Sequence, residues 1–145
     1  MDKALLSRTA AAMVARGKGV LAADESSGTC ETRFKSVNVE CTEENRRTYR
    51  GLLFGTPGVE QFISGVILFD ETIRQKAGDG TQFPQYLAKK GIIPGIKVDK
   101  GLVDIPLSPG EKVTEGLDGL SKRLEEYFQM GARFAKWRAV ITIGE

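Results

Sequence analysis

Short apolar runs closed by acidic residues alternate along this chain with segments whose apolar positions recur every three or four residues. The first segment of the second kind spans Leu5 to Arg16, with Asp2 placed to cap a helix and Gly17-Lys18-Gly19 placed to end it. Residues 1–17 therefore read as a helical arm. Val20 to Ala23 is apolar throughout and stops abruptly at Asp24-Glu25-Ser26-Ser27-Gly28, the pattern of a strand buried on both faces that runs into a polar loop. Thr42 followed by Glu43 and Glu44 gives a cap and an acidic first turn. Tyr49, Leu52 and Leu53 supply the apolar stripe of that helix, and Gly55-Thr56-Pro57-Gly58 ends it.

Ile63 to Phe69 is a second apolar run, again closed by acids, Asp70 and Glu71. A turn at Gly78-Asp79-Gly80 precedes a short helix from Phe83 to Lys90 with Pro84 in its first turn. Ile92 to Val98 reads as a third strand interrupted by Pro94, and Gly101 to Thr114 as a long connecting loop carrying Pro106, Pro109 and Gly110. Leu117, Leu120, Leu124, Tyr127 and Phe128 then define an amphipathic helix stopped by Gly131, and Arg133 to Ile143 a fourth strand. Strand, helix, strand, helix, strand, helix, strand predicts an α/β protein with a parallel sheet and right-handed crossovers.

Composition narrows the chemistry. The 145 residues are 41% hydrophobic, enough for one domain with a core. The formal charge of +2, with 21 basic against 19 acidic residues and no long run of one sign, gives no footprint for a nucleic acid or a membrane surface. No stretch approaches the roughly 18 apolar residues of a membrane span, and the start has no signal-like segment, so the expected location is the cytoplasm. Cys30 and Cys41 read as free thiols. Histidine is absent, so chemistry here falls to carboxylates, lysines, arginines and hydroxyls.

In a parallel α/β protein those groups work at the carboxyl ends of strands. Asp24 stands at the end of the first, with Ser26 to Thr29 behind it; Lys97 and Asp99 close the third; Lys136 and Arg138 lie on the fourth. Strand alternation puts Phe134, Lys136 and Arg138 on one face, where two cations need an anionic partner, for which Asp24 and a sugar phosphate both serve. Two local alternatives stay open. Ser26 to Thr29 either begins a helix or binds phosphate through backbone N–H groups, and Lys97 with Asp99 is either a structural ion pair or part of a site.

Five ordered motifs carry a resemblance. Lys18-Gly-Val-Leu-Ala-Ala-Asp-Glu-Ser-Ser-Gly28, Gly65-Val-Ile-Leu-Phe69, Gly95-Ile-Lys-Val-Asp-Lys-Gly101, Gly116-Leu-Asp-Gly-Leu120 and Phe134-Ala-Lys-Trp-Arg138 are similar to the class I, Schiff-base fructose-1,6-bisphosphate aldolases, as is Glu43-Glu-Asn-Arg-Arg47 with Tyr49 and Arg50. The match runs from about residue 17 to the end. It implies an eight-stranded TIM barrel, (β/α)8, of which about the first four units lie here as part of a single domain truncated after the fourth strand. It also implies a lyase of glycolysis and gluconeogenesis that splits fructose 1,6-bisphosphate into dihydroxyacetone phosphate and glyceraldehyde 3-phosphate through a lysine imine, with no metal and no cofactor. The full-length protein is expected to be a homo-oligomer, a tetramer.

Carried over by position, Asp24 resembles the family carboxylate that assists at the C4 hydroxyl, Lys136 the lysine beside it, and Lys97 a further active-site lysine. Ser26, Thr29, Arg33 and Arg138 resemble phosphate-contacting residues, and Arg46 a further substrate-binding arginine. Thr32 departs from the family, many of whose members have lysine there, which removes one positive charge near the phosphate. The imine lysine and its glutamate belong to the sixth and fifth strands and have no counterpart in these residues. The resemblance therefore implies a piece of a barrel that ordinarily needs about 250 residues, inactive alone and prone to association through unpaired strand edges. The alternative is a short, non-catalytic aldolase-like binding or scaffolding module.

Overall fold

The computed structural model describes residues 2–143. It opens with helix α1 (Lys3–Met13), whose cap Asp2 accepts a hydrogen bond from the Leu5 N–H at 3.0 Å. No residue of α1 is buried, and the Ser64 hydroxyl ties its end down by donating to the Met13 carbonyl at 2.6 Å. Strand β1 (Gly19–Ala23) leads to α2 (Ser27–Lys35) and α3 (Glu43–Gly55), and β2 (Ile63–Leu68) to α4 (Asp70–Arg74) and α5 (Phe83–Lys89). Then come β3 (Ile93–Lys97), β4 (Leu102–Asp104), β5 (Lys112–Thr114), α6 (Leu120–Met130) and β6 (Phe134–Lys136). Among the described residues no helix is long and apolar enough to cross a membrane.

The main sheet has the order β1-β2-β3-β6, with all three pairings parallel. Sequential strands lie side by side, as in successive β/α units of a barrel. One sheet face, carrying Ala23, Val66, Leu68 and Ile96, is buried against Phe54 of α3, Ile73 of α4, Leu87 of α5 and Tyr127 of α6. The other face carries Ala22, Ile67, Gly95 and Phe134, which the strand registers align across the sheet. Gly95 is required there: a Cβ on it would sit 2.3 Å from the Phe134 ring. Pro94 is tolerated inside β3 because its backbone edge faces β6 where that strand is only beginning. Its carbonyl accepts from the Arg133 N–H at 2.8 Å, and its missing donor falls short of the ladder.

Four sequence expectations need correction. The loop from Gly101 to Thr114 contains an antiparallel hairpin, β4 with β5, pairing Leu102 with Thr114 and Asp104 with Lys112. Three-residue strands among two prolines give no legible alternation. The fourth strand ends at Lys136 rather than Ile143; past β6 the chain leaves the sheet, and the Arg138 carbonyl accepts from the Thr114 hydroxyl at 2.6 Å. In α3 the stripe of Tyr49, Leu52 and Leu53 is displaced: Arg50 and Phe54 are the buried residues, and Leu52 is 71% exposed. In α6, Tyr127 is buried while Leu117 lies ahead of the helix and Phe128 is half exposed. Gly131, at φ 114°, ends α6 as expected. Cys30 and Cys41 are free thiols, and Trp137 packs against the core.

Candidate active site

Strand alternation and register together build the site. Asp24 lies two residues beyond Ala22, on the same face, and Lys97 and Lys136 are direct register partners on β3 and β6. Neighbouring strands are about 4.8 Å apart, so two ammonium groups on one face repel unless each has an anion. Each does. Lys136 Nζ donates to Asp24 Oδ2 at 2.7 Å, across 112 residues of sequence, and Lys97 Nζ donates to Asp99 Oδ1 at 2.6 Å. The Asp24 side chain is 10% exposed and that of Lys136 32%, so this pair opens on solvent while remaining half-desolvated.

These groups line a cleft of about 830 Å³ at the carboxyl ends of the strands. Of the eight residues expected from sequence, the structure brings seven to it: Asp24, Lys97, Lys136, Ser26, Thr29, Arg33 and Arg138. Arg46 is elsewhere. It grips Glu71 through two hydrogen bonds, 2.8 Å to Oε1 and 2.6 Å to Oε2, and opens on a separate cavity beside Cys41.

The two open local questions receive structural answers. Ser26 is the cap of α2: its hydroxyl accepts from the Thr29 N–H at 3.4 Å and lies 3.2 Å from the Thr29 hydroxyl. A helix N-terminus with two hydroxyls therefore faces the cleft, so these residues do begin a helix. Lys97 and Asp99 do form an ion pair. Asp99 also accepts from the Arg138 backbone N–H at 3.2 Å, which couples the end of β3 to the chain leaving β6. Burial pushes the Asp99 carboxyl up, but the hydrogen bonds from Lys97 and from the Arg138 and Gly101 backbone outweigh it and hold it below the usual aspartate value.

The sequence reading missed several cleft residues. Asp70, Arg74, Arg123 and Tyr127 form a polar wall: Arg74 bridges Asp70 and Glu126, and the Tyr127 hydroxyl donates to Asp70 at 2.8 Å. Burial raises the Asp70 carboxyl, yet Arg74 and Tyr127 bring it net below its ordinary value. Arg123 donates to the Val98 carbonyl at 3.0 Å and to the Gly116 carbonyl at 2.5 Å, fixing the exit from β3. Asp70 carried a signal, an acid at a strand end like Asp24. Arg123 and Tyr127 sat inside a helical stripe and looked like packing and surface.

A pH dependence follows from the two aspartates. Both have folded pKa values below their unfolded ones, so their contribution to stability is complete above the unfolded value of about 3.9 and is lost as pH falls through the folded values. The urea midpoint of the polypeptide of the whole reading frame should fall as pH drops below about 4, with a shallower fall in Asp99→Asn. Identical acid limbs for the two proteins would contradict the assignment to Asp99.

The comparisons agree with the geometry. The family profile described as "Glycolytic: Fructose-bisphosphate aldolase class-I" matches residues 5–145. A "Probable fructose-bisphosphate aldolase class 1" of Xylella fastidiosa is 64% identical over 140 residues, 97% of this chain and 42% of that protein. "Fructose-bisphosphate aldolase 5, cytosolic" of Arabidopsis thaliana is 55% identical over 139 residues, 96% of this chain and 39% of that protein. In three dimensions, a fructose-bisphosphate aldolase of Plasmodium falciparum, solved with TRAP and a small-molecule inhibitor, superposes with a TM-score of 0.94 at 55% identity. That match covers 97% of this chain and 41% of the solved one, so the chain spans about two fifths of the length of the relatives it matches. The four-stranded parallel sheet is thus part of a TIM-barrel fold, and the chain belongs to the class I fructose-bisphosphate aldolase family.

Proposed function

We propose that the protein carrying these residues is a class I fructose-bisphosphate aldolase, and that this segment supplies the carboxylate, two lysines and one phosphate-binding end of its site. The observation that carries this reading is the Asp24–Lys136 pair, 2.7 Å apart on nonadjacent strands, in a cleft large enough for a sugar bisphosphate.

Substrate bound as an imine on a lysine from outside this segment would present its C4 hydroxyl to Asp24. The carboxylate takes that proton as the C3–C4 bond breaks; the electron pair moves into the imine, and glyceraldehyde 3-phosphate leaves as the aldehyde. Lys136, held on Asp24, steadies the negative charge that shifts between carboxylate and departing oxygen. Ser26, Thr29 and the α2 N-terminus would take a phosphate, with Arg33 and Arg138 supplying positive charge, a reading supported by their shared place on the cleft wall. Thr32 replaces a charge with a hydroxyl that donates to the Gly28 carbonyl at 3.1 Å, so it adds nothing to anion binding. We place the protein in the cytoplasm, in keeping with the cytosolic Arabidopsis relative, and as a homo-tetramer.

The test is fructose 1,6-bisphosphate cleavage by two preparations: the polypeptide of the whole reading frame that contains these residues, and residues 1–145 alone. Turnover by the first and none by the second is expected. Turnover by residues 1–145, or none by either, would contradict the proposal.

A further inference from the structure

Helix α3 carries three arginines, Arg46, Arg47 and Arg50, each with partners within the fold. Arg46 and Arg50 are four residues apart and share a helix face. Each reaches the glutamate immediately after a cleft aspartate. Arg50 approaches Glu25, next to Asp24; Arg46 grips Glu71, next to Asp70.

Arg50 is 2% exposed, and its guanidinium holds Glu25 twice. Nη2 donates to the Glu25 carbonyl at 2.9 Å, and Nη1 lies 2.8 Å from Oε2 of the carboxylate, which is itself 12% exposed. That second contact is off the hydrogen-bond line and leaves Arg50 Nη1 and Nε and Glu25 Oε2 without hydrogen-bond partners. Buried charges held this way are sensitive to small displacements, because no water compensates for a lost contact. Glu25 is also bound by Arg33 of α2 and, at 3.3 Å, by the Tyr49 hydroxyl of α3.

Arg46 uses two edges of its guanidinium, on Glu71 and on the Cys41 carbonyl at 2.9 Å. Arg47 donates to the Lys76 carbonyl at 3.1 Å, fastening the stretch just past α4. One helix therefore fastens the exits of two strands, one turn of its own length apart.

We infer that α3 is a two-arginine brace: Arg50 through Glu25 and Arg46 through Glu71 fix the strand ends that present Asp24 and Asp70 to the cleft, which makes both arginines positioning residues. The inference rests on Asp24 being a working carboxylate of an aldolase site. Neither arginine lines the cleft; Arg50 holds the carbonyl and carboxylate of Glu25, and Arg46 holds the carboxylate of Glu71. Fixing Glu25 also fixes Ser26, whose cap sets the α2 N-terminus.

The test is Arg50→Lys and Arg46→Lys in the polypeptide of the whole reading frame, since lysine keeps the charge and loses the forked grip. Turnover of fructose 1,6-bisphosphate is referred to the number of sites trapped by borohydride with dihydroxyacetone phosphate, and amide hydrogen exchange is followed over residues 24–30 and 70–76. Misplacement of a catalytic group by about 1 Å costs on the order of 100-fold, so Arg50→Lys should lower kcat per site by roughly 10- to 100-fold with KM little changed. Exchange should quicken over residues 24–30 in Arg50→Lys and over 70–76 in Arg46→Lys. A lowered Tm with unchanged kcat per site and unchanged local exchange would overturn the brace. Should Arg50→Lys fail to fold, Glu25→Gln keeps the side-chain shape and should show the same loss of kcat; normal turnover in it overturns the inference. If the unsubstituted polypeptide does not cleave the substrate, the functional proposal falls first. Exchange alone then decides the brace: local quickening supports it, and none overturns it.

Discussion

Lys136→Met in the polypeptide of the whole reading frame should lower kcat for fructose 1,6-bisphosphate cleavage by about 10²–10³-fold, the usual loss when one preorganised charge-stabilising donor is removed. Methionine keeps the length and much of the volume of the stem, so the Phe134 layer beneath it need not repack. What disappears is the ammonium 2.7 Å from Asp24 Oδ2. Asp24 then faces a cleft with its own partner gone, and Lys97 cannot take over, because it is committed to Asp99 at 2.6 Å. Since the charge matters most when the bond breaks, kcat and kcat/KM should fall together in steady-state measurements. A change confined to KM would make Lys136 a binding residue and remove it from the chemistry.

Phe54→Ala should have the largest effect on stability. Phe54 is 1% exposed on α3, and its ring meets Phe83 of α5 edge-on, with centroids 5.1 Å apart and planes at 88°. Deleting such a ring costs about 3–5 kcal/mol, a large share of the roughly 5–15 kcal/mol that holds an ordinary domain. The urea midpoint of the variant should drop markedly, in proportion to that loss. A loss under about 1 kcal/mol would mean that α3 does not depend on this contact for its seat on the sheet. That seat matters to the site, since the helix that buries Phe54 also carries Arg46 and Arg50.

The parallel sheet was legible because short, continuously apolar runs alternate with helical stripes, and the first two of those runs end in acids. Ala23-Asp24 and Phe69-Asp70 mark two strand ends with no help from tertiary structure. The Asp24–Lys136 contact was half legible: alternation put Lys136 on a face needing an anion, with Asp24 and a sugar phosphate both open as its partner, and the sheet order brings Asp24 to it. Arg50 was illegible, because a helical pattern assigns arginine to solvent, whereas here a carboxylate and a carbonyl draw it in to 2% exposure. The β4–β5 hairpin escaped for another reason: strands of three residues carry too little alternation to register. Arg46 looked like a substrate arginine by its place in a motif; its two hydrogen bonds to Glu71 give it a partner within the fold.

The most direct measurement is borohydride trapping of the polypeptide of the whole reading frame with dihydroxyacetone phosphate, followed by mapping of the modified peptide by mass. A single stable adduct on a lysine outside residues 1–145, with Lys97 and Lys136 unmodified, is the result predicted for a segment that supplies the carboxylate and supporting lysines of a Schiff-base aldolase. An adduct on Lys97 or Lys136, or no adduct at all, would contradict it.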